Sequence, residues 1–271
     1  MSPSPYIIMS APNGARRLKK DHPNIPITPD EMAKCGQEIL AAGASILHLH
    51  VRDDSGQHSL DVDRYKASIK AIKKQVGNRL IIQATTEAVG IYNRQQQIDM
   101  VKTLKPDAVS LALRELCPTD EELSEFDAFN QWINEEHIFP QYILYNTDDH
   151  RRFEKYFSKG VFHNDTPFTL YVMGSYAGPT PDTEVLKKLA SNNHTPWASC
   201  GFAENEKDCI NHTLETTGHI RLGFENNILR EDGSLLENNG EMIKYAADTA
   251  TNKNRSIATA EDVRNMFNLR G

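Results

Sequence analysis

The sequence predicts an α/β fold, a (β/α)8 TIM barrel that occupies residues 1–271 as a single domain. Its 271 residues match the roughly 250 residues that are typical of one eightfold barrel. Short apolar runs alternate with amphipathic segments along the whole chain. Most of these runs are apolar at both odd and even positions, as expected of parallel strands that are buried on two faces. Such alternation implies a parallel sheet, which eight strands most naturally close into a barrel, with a doubly wound open sheet as the alternative.

Eight runs have the length and composition of buried strands. They are YIIMSA from Tyr6, SILHLHV from Ser45, RLIIQAT from Arg79, AVSLAL from Ala108, IFPQYILY from Ile138, FTLYVMG from Phe168, WASCGF from Trp197 and HIRLGFE from His219.

Helices are expected between these strands. The first has a start signal in Thr28-Pro29-Asp30-Glu31, which supplies an N-cap, a proline at the first helical position and a capping-box glutamate. Gly43 is a plausible end for this helix. The periodicity predicts further helices near 62–76, 93–104, 120–136, 149–158, 182–191, 205–217 and 238–251, and a last one from about residue 259.

Composition excludes several classes of protein. The net charge of −7 argues against a nucleic-acid-binding surface, which needs concentrated Lys and Arg. No apolar run approaches the roughly 20 residues of a membrane span. The N-terminus lacks the pattern of a signal peptide, and the four cysteines form no CxxC pair. We therefore expect a cytoplasmic protein.

Two histidines lie two residues apart where the second candidate strand ends, in HLHVRD. Residues i and i+2 of a strand point to the same face, so His48 and His50 face the barrel interior if Leu49 faces the helices. The pair is either two hydrogen-bonded core histidines or two ligands of one metal, for which imidazole suits zinc. Barrel enzymes have their chemistry at this end of the strands, which favours a site.

Glu225 ends the eighth candidate strand. In a closed barrel this strand lies close to strands one and two, so the carboxylate could complete a site of two imidazoles and one carboxylate with an open position. That ligand set is typical of catalytic zinc. The alternative is an ordinary exposed loop acid.

Seven segments spread along the chain form a distinctive set. They are APNGARR, HPNIPITPDEMAKCGQEILAAGASILHLHVRDDSG, LIIQATT, KPDAVSL, YVMGSYAG, WASCGF and GHIRLGFENNI. Through these segments essentially the whole chain resembles a known family, the β-keto acid cleavage enzymes, which include 3-keto-5-aminohexanoate cleavage enzyme.

The resemblance implies zinc on His48, His50 and Glu225 and a homotetramer. It also implies a reaction in which a β-keto acid and acetyl-CoA give acetoacetate and a new acyl-CoA. A metal on the keto oxygen would acidify the neighbouring carbon for a Claisen-type attack on the thioester, and thiolate return and carbon–carbon cleavage would follow.

Several positions match the family's pattern. Thr85 matches a hydroxyl that binds the substrate carboxylate, and Ser110 matches a second hydroxyl of the same pocket. Arg221 matches an arginine beside the catalytic acid. Thr86 and Arg16 are further candidates for contact with substrate. For each of these groups at the end of a strand, the alternative is an ordinary polar side chain that hydrogen-bonds to the backbone.

Other positions depart from the pattern. Asn226 stands where the family has the acid that is its presumed base, and an amide cannot take up a proton at neutral pH. Thr86-Glu87-Ala88 replaces T-G-G, and Ala112, followed by Arg114, replaces an asparagine. Arg16 and Ile143 occupy positions where the amino-substrate enzyme has acids. We therefore expect a substrate with a neutral or anionic side chain.

Two hypotheses follow from Asn226. Either the chain is an active β-keto acid cleaving enzyme with a relocated base, for which Glu87 is the candidate, or it is a zinc-binding relative that has lost this reaction. In the second case it serves another metal-dependent or small-molecule-binding role. The three intact ligands favour the first.

Overall fold

A computed structural model of the chain describes residues 4–175, 183–191 and 194–269. Among these residues, parallel strands form a closed barrel in which β1 pairs with both β2 and β8. This closure confirms the predicted barrel and excludes the open sheet. The barrel strands are β1 Ile8–Ser10, β2 Ile46–Leu49, β3 Ile81–Thr85, β4 Ala108–Ala112, β5 Phe139–Leu144, β6 Phe168–Met173, β7 Trp197–Gly201 and β8 His219–Leu222.

Among the described residues a helix follows each of the first seven strands, and two helices follow the eighth. They are α1 Pro29–Ala42, α2 Val62–Val76, α3 Arg94–Leu104, α4 Leu123–Glu135, α5 Thr147–Phe157, α6 Thr183–Ser191, α7 Asn205–Glu215, α8 Gly240–Asn252 and α9 Ala260–Met266. Residue 182, where α6 was expected to begin, lies outside the described residues.

Capping groups set the helix ends. Thr28 and Glu31 form the predicted capping box of α1, and Gly43 ends that helix in a left-handed conformation with φ of 112°. Helix α5 begins two residues before the predicted position because the Asn146 side chain accepts hydrogen bonds from the N–H groups of Asp148 and Asp149.

Two short elements at the strand ends were not predicted. A hairpin pairs Val51–Arg52 with His58–Ser59, and a single helical turn, Leu113–Leu116, follows β4. Asp53 forms the hairpin's turn because its carboxylate accepts from the N–H groups of Ser55 and Gln57.

Aromatic side chains fill the barrel interior at the end where the strands begin, together with the buried His219, whose ring lies 5.9 Å from that of Phe168. Phe139 stacks on Phe168 at 5.7 Å between ring centroids, and Phe267, just after α9, lies 4.5 Å from Phe139 and 5.1 Å from Phe168. This aromatic cluster plugs the N-terminal end of the barrel, and the polar groups of the site lie toward the opposite end.

No helix in the described part of the chain has both the length and the apolar character needed to cross a bilayer.

Candidate metal centre and substrate pocket

His48, His50 and Glu225 meet at the C-terminal mouth of the barrel. Their ligand atoms all lie within 4.8 Å of one another. The two Nε2 atoms are 3.1 Å apart, and Glu225 Oε2 lies 3.7 Å from that of His48 and 3.5 Å from that of His50. All three side chains are buried.

A hydrogen bond to its ring orients His48, and one to its backbone helps to fix the position of His50. His48 Nδ1 lies 2.8 Å from Gln83 Oε1, and the Gln83 amide nitrogen donates onward to Gln141 Oε1. Asn13, in the APNGA segment, donates to the backbone carbonyl of His50 at 3.1 Å. Donation from Nδ1 leaves the Nε2 lone pair of His48 as an acceptor, which the Arg221 guanidinium approaches at 3.4 Å and which a metal could take up instead.

Arg52 of HLHVRD is part of the scaffold around this centre. Its buried guanidinium donates to the carbonyl oxygens of Asn13, Gly14, Arg17 and Gly56. It thereby fixes the loop between β1 and α1 against the hairpin, and it does not line the pocket.

Backbone contacts place Glu225. Its N–H donates to the Ala11 carbonyl at 3.0 Å, and the preceding N–H, of Phe224, donates to Asn239 Oδ1 at 2.8 Å. Arg221 donates to Glu225 Oε1 at 3.2 Å. The other oxygen, Oε2, is buried and has no hydrogen-bond partner among the described residues, so it is the atom available to a cation.

The electrostatics suit a divalent cation. Burial lowers the pKa of His48 well below its usual value, and the Arg221 guanidinium lowers it further. Burial alone would raise the pKa of Glu225, but Arg221 and His50 hold it well below its usual range. Neutral imidazole and ionised carboxylate are the forms that bind metals.

A cleft of about 270 Å³ opens beside the metal centre. Its lining includes most of the residues singled out from the sequence: Arg16, His48, Thr85, Thr86, Glu87, Ser110, Ala112, Arg114, Ile143, Arg221 and Glu225. His50 and Asn226 are not in that lining.

The three hydroxyls differ in how they are bonded. Thr86 Oγ1 donates to the Ser110 carbonyl, and Thr85 Oγ1 accepts from the Glu87 N–H. Ser110 Oγ is buried and has no partner among the described residues. Ser110 therefore retains its full hydrogen-bonding capacity for a ligand, Thr85 retains its donor, and Thr86 is committed to the backbone.

The two residues considered for proton transfer lie in different surroundings. Asn226 is completely buried, and neither amide atom has a partner within the described residues. Glu87 lines the cleft, with Oε2 3.8 Å from His50 Nδ1. Burial raises the pKa of Glu87, and His50 opposes this in part.

The structure adds two acidic groups, one beside the cleft and one in its lining, that the sequence analysis did not assign. Asp149 accepts two hydrogen bonds from the Arg114 guanidinium, which stacks 4.2 Å above the Tyr145 ring. Glu115 also lines the cleft, and burial together with the Glu87 carboxylate raises its pKa to about 7. In the sequence, Arg114 stands beside Glu115 just after a strand, and this signal could have drawn attention to both residues.

His58 was also missed. It lies on the hairpin beside His50, with its Nδ1 3.4 Å from His50 Nδ1 and its Nε2 3.0 Å from the Glu87 carbonyl. Burial lowers the pKa of His58 to about 3, and His50 contributes in the same direction.

The chain is similar to known proteins along almost its whole length. A family model described as beta-keto acid cleavage enzyme matches residues 5–269. The chain is 28% identical to 3-keto-5-aminohexanoate cleavage enzyme of Acetoanaerobium sticklandii, over 97% of this chain and 98% of that protein. It is 25% identical to 3-oxoadipate:acetyl-CoA acetyltransferase of Cupriavidus necator, over 98% of this chain and 95% of that protein.

Among solved structures, a ternary complex of ObcA with C4-CoA adduct and oxalate superposes with a TM-score of 0.69. The alignment has 16% sequence identity and covers 91% of this chain and 68% of that chain. At this identity the likeness concerns the fold.

Gly223 gives a test of how Glu225 is placed. Its φ is 137°, and a Cβ here would lie 2.4 Å from the Ala11 carbonyl oxygen, the acceptor of the Glu225 N–H. We expect Gly223→Ala to lower the free energy of unfolding by about 3 kcal/mol or more, measured by urea denaturation.

Gly233→Ala is the matched control, because Gly233 also has positive φ, 82°, but nothing within 4 Å of its Cβ position. It should cost about 1 kcal/mol through backbone conformation alone. Equal losses in the two variants would contradict the close-contact explanation.

Proposed function

The chain belongs to the beta-keto acid cleavage enzyme family, and we propose that it is a zinc-dependent acyltransferase that cleaves a carbon–carbon bond. The substrates are a β-keto acid and acetyl-CoA, and the products are acetoacetate and a new acyl-CoA. The observation that carries this proposal is the buried cluster of His48, His50 and Glu225 at the edge of a cleft lined by Arg221.

The donor set fits a catalytic zinc. Two imidazole Nε2 atoms converge with a carboxylate oxygen that has no other partner in the described structure, and three protein ligands leave a position for substrate. When bound, the metal would act as a Lewis acid that polarises the keto oxygen of the substrate.

The chain's own groups would bind the reacting acid. Ser110 Oγ and the Thr85 hydroxyl have donors available for the substrate carboxylate. Arg221, held by Glu225 Oε1, lines the cleft beside the metal centre. Its buried charge favours negative charge that develops on the reacting oxygens.

Glu87 is the group that we assign to proton transfer. Its carboxyl lines the same cleft as His48 and Arg221, whereas the Asn226 amide is buried outside it. Glu87 would take the proton from the carbon between the keto and carboxylate groups, and that carbon would attack the acetyl-CoA thioester and release the thiolate. Thiolate attack on the original keto carbon then breaks the carbon–carbon bond, and the acetoacetate carbanion that leaves recovers the proton.

The charges that line the cleft support a neutral or anionic substrate side chain. Arg16 and Arg114 line it, although Asp149 offsets the charge of Arg114. Burial raises the pKa of Glu115, which also lines the cleft, to about 7, so its negative charge is reduced at neutral pH. One relative is named 3-oxoadipate:acetyl-CoA acetyltransferase. The substrate in that name has an acidic side chain, which is the kind of substrate that the charges of this cleft would favour.

A second candidate function rests on Asn226. If the base is not replaced, the chain is a zinc-binding relative that has lost the cleavage reaction and has another metal-dependent or ligand-binding role. The buried amide without partners in the described residues is the observation that favours it.

We also propose that the enzyme is a single-domain homotetramer of the cytoplasm. Leu229, Leu235 and Tyr245, on and after the loop that follows β8, are exposed large hydrophobic residues, and such side chains are common at subunit contacts. Light scattering on the purified protein tests the assembly state.

The metal assignment predicts about one zinc per chain in purified protein. His48→Ala should abolish zinc binding or weaken it severely, because two ligands are too few to hold the ion. Elemental analysis after dialysis measures this, with His150→Ala, a histidine that hydrogen-bonds Tyr171, as the control. Full zinc occupancy in a His48→Ala, His50→Ala double variant is the result that rejects the site.

The charge balance predicts that β-keto acids with neutral or acidic side chains outcompete 3-keto-5-aminohexanoate in kcat/KM. Preference for an acidic side chain should decline as pH rises through 7, because Glu115 then becomes ionised. Glu115→Gln should remove that decline. A preference for the amino substrate in paired assays would refute the assignment.

The base assignment predicts that Glu87→Gln lowers kcat by roughly 10²–10⁴-fold. Asn226→Asp should restore or raise β-keto acid cleavage if the family's site is otherwise intact. Single-turnover rates with zinc-loaded protein measure both. Unchanged activity in Glu87→Gln would remove it from the mechanism, and inactivity of wild type and Asn226→Asp alike would favour the second candidate function.

A further inference from the structure

His58 packs against His50, one of the proposed metal ligands. It is 4% exposed, and its ring centroid lies 5.1 Å from that of His50. The hairpin that carries it joins the strand segment directly after His50 to residues 58–59, so the two rings are brought together by local backbone pairing. The Tyr92 ring meets His58 edge-on from the other side, at 6.1 Å.

The partners of His58 select its tautomer. The Glu87 carbonyl oxygen, 3.0 Å from His58 Nε2, can only accept, so Nε2 carries the hydrogen. A neutral imidazole has one N–H, and therefore His58 Nδ1 presents a lone pair to His50 Nδ1 at 3.4 Å. His50 must then be the donor, which leaves its own Nε2 lone pair directed at the metal centre.

We propose that His58 is a positioning residue for the metal, one that accepts the Nδ1–H of His50 and holds its Nε2 toward His48 and Glu225. This inference rests on the metal site proposed above. A histidine ligand ordinarily donates its second N–H to an oxygen acceptor, as His48 does to Gln83. In this chain a third imidazole takes that place for His50.

The proposal also separates the roles of His58 and Glu87. The competing acceptor for His50 Nδ1 is Glu87 Oε2, which is farther away at 3.8 Å. Because His58 takes the hydrogen bond, the Glu87 carboxyl remains available to the cleft. His58 should therefore affect metal affinity, and Glu87 should affect turnover.

Zinc affinity tests this without reference to activity. A competition titration with a chromogenic chelator compares wild type with His58→Leu, which removes the acceptor, and His58→Asn, whose Oδ1 replaces Nδ1. We expect a loss of about 10–100-fold for His58→Leu, a loss of only a few-fold for His58→Asn, and none for Glu87→Gln or the control His150→Leu.

Folding and the metal-free state are examined separately. Thermal unfolding of the metal-free variants identifies any general loss of structure, and His58→Asn covers the case in which His58→Leu fails to fold. Nitrogen-15 NMR of metal-free wild type should show His50 as the Nδ1–H tautomer, and this preference should weaken in His58→Leu.

Each outcome bears on one of the two proposals. Zinc binding by wild type with unchanged affinity in His58→Leu overturns the role of His58 alone. A loss of affinity in Glu87→Gln but not in His58→Leu would make Glu87 the acceptor, and an Nε2–H tautomer of His50 in metal-free wild type would also overturn the inference. Absence of zinc binding by wild type refutes the metal site, and the role of His58 with it.

Discussion

Closure of the sheet through β1 is the constraint on which the site depends. His48 and Glu225 are far apart in the sequence, and they meet because β1 pairs with β2 on one edge and β8 on the other. The Glu225 N–H then bonds to the Ala11 carbonyl, just beyond β1. Without the β1–β8 pairing no local signal would bring the carboxylate to the imidazoles, so barrel stability and ligand geometry are coupled.

The polar interior at the mouth is costly unless its groups are paired. Gln83 accepts a hydrogen bond from His48, and His58 accepts one from His50. Arg221 donates to one oxygen of Glu225. What remains is a pair of Nε2 atoms 3.1 Å apart, of which that of His48 has the Arg221 guanidinium at 3.4 Å. They face a buried oxygen of Glu225 that has no hydrogen-bond partner among the described residues. These lone pairs repel one another in isolation, and a shared cation is the simplest partner that satisfies all of them.

The sequence was sufficient for the fold and for the meeting of His48, His50 and Glu225 because both depend on regular rules. Strand parity placed His48 and His50 on one face, and closure placed Glu225 near them. The contact between His50 and His58 was not predictable, since it depends on the turn that Asp53 forms. The burial of the Asn226 side chain away from the cleft was also missed, because the chain leaves strand geometry after β8.

The departures from the family pattern fall into two groups, according to whether the residue lines the cleft. Glu87, Ala112, Ile143 and Arg16 all line the cleft, which is where the proposed substrate would bind. The groups that position His48 and Glu225, among them Gln83 and Arg221, make other contacts, and Arg52 fixes the neighbouring loop through its carbonyl oxygens. Substrate preference can therefore change without disturbing the metal centre. Asn226 is different, because it directly follows Glu225 and is not in the lining of the cleft, and under the proposed function Glu87 takes over the role of the acid that Asn226 replaces.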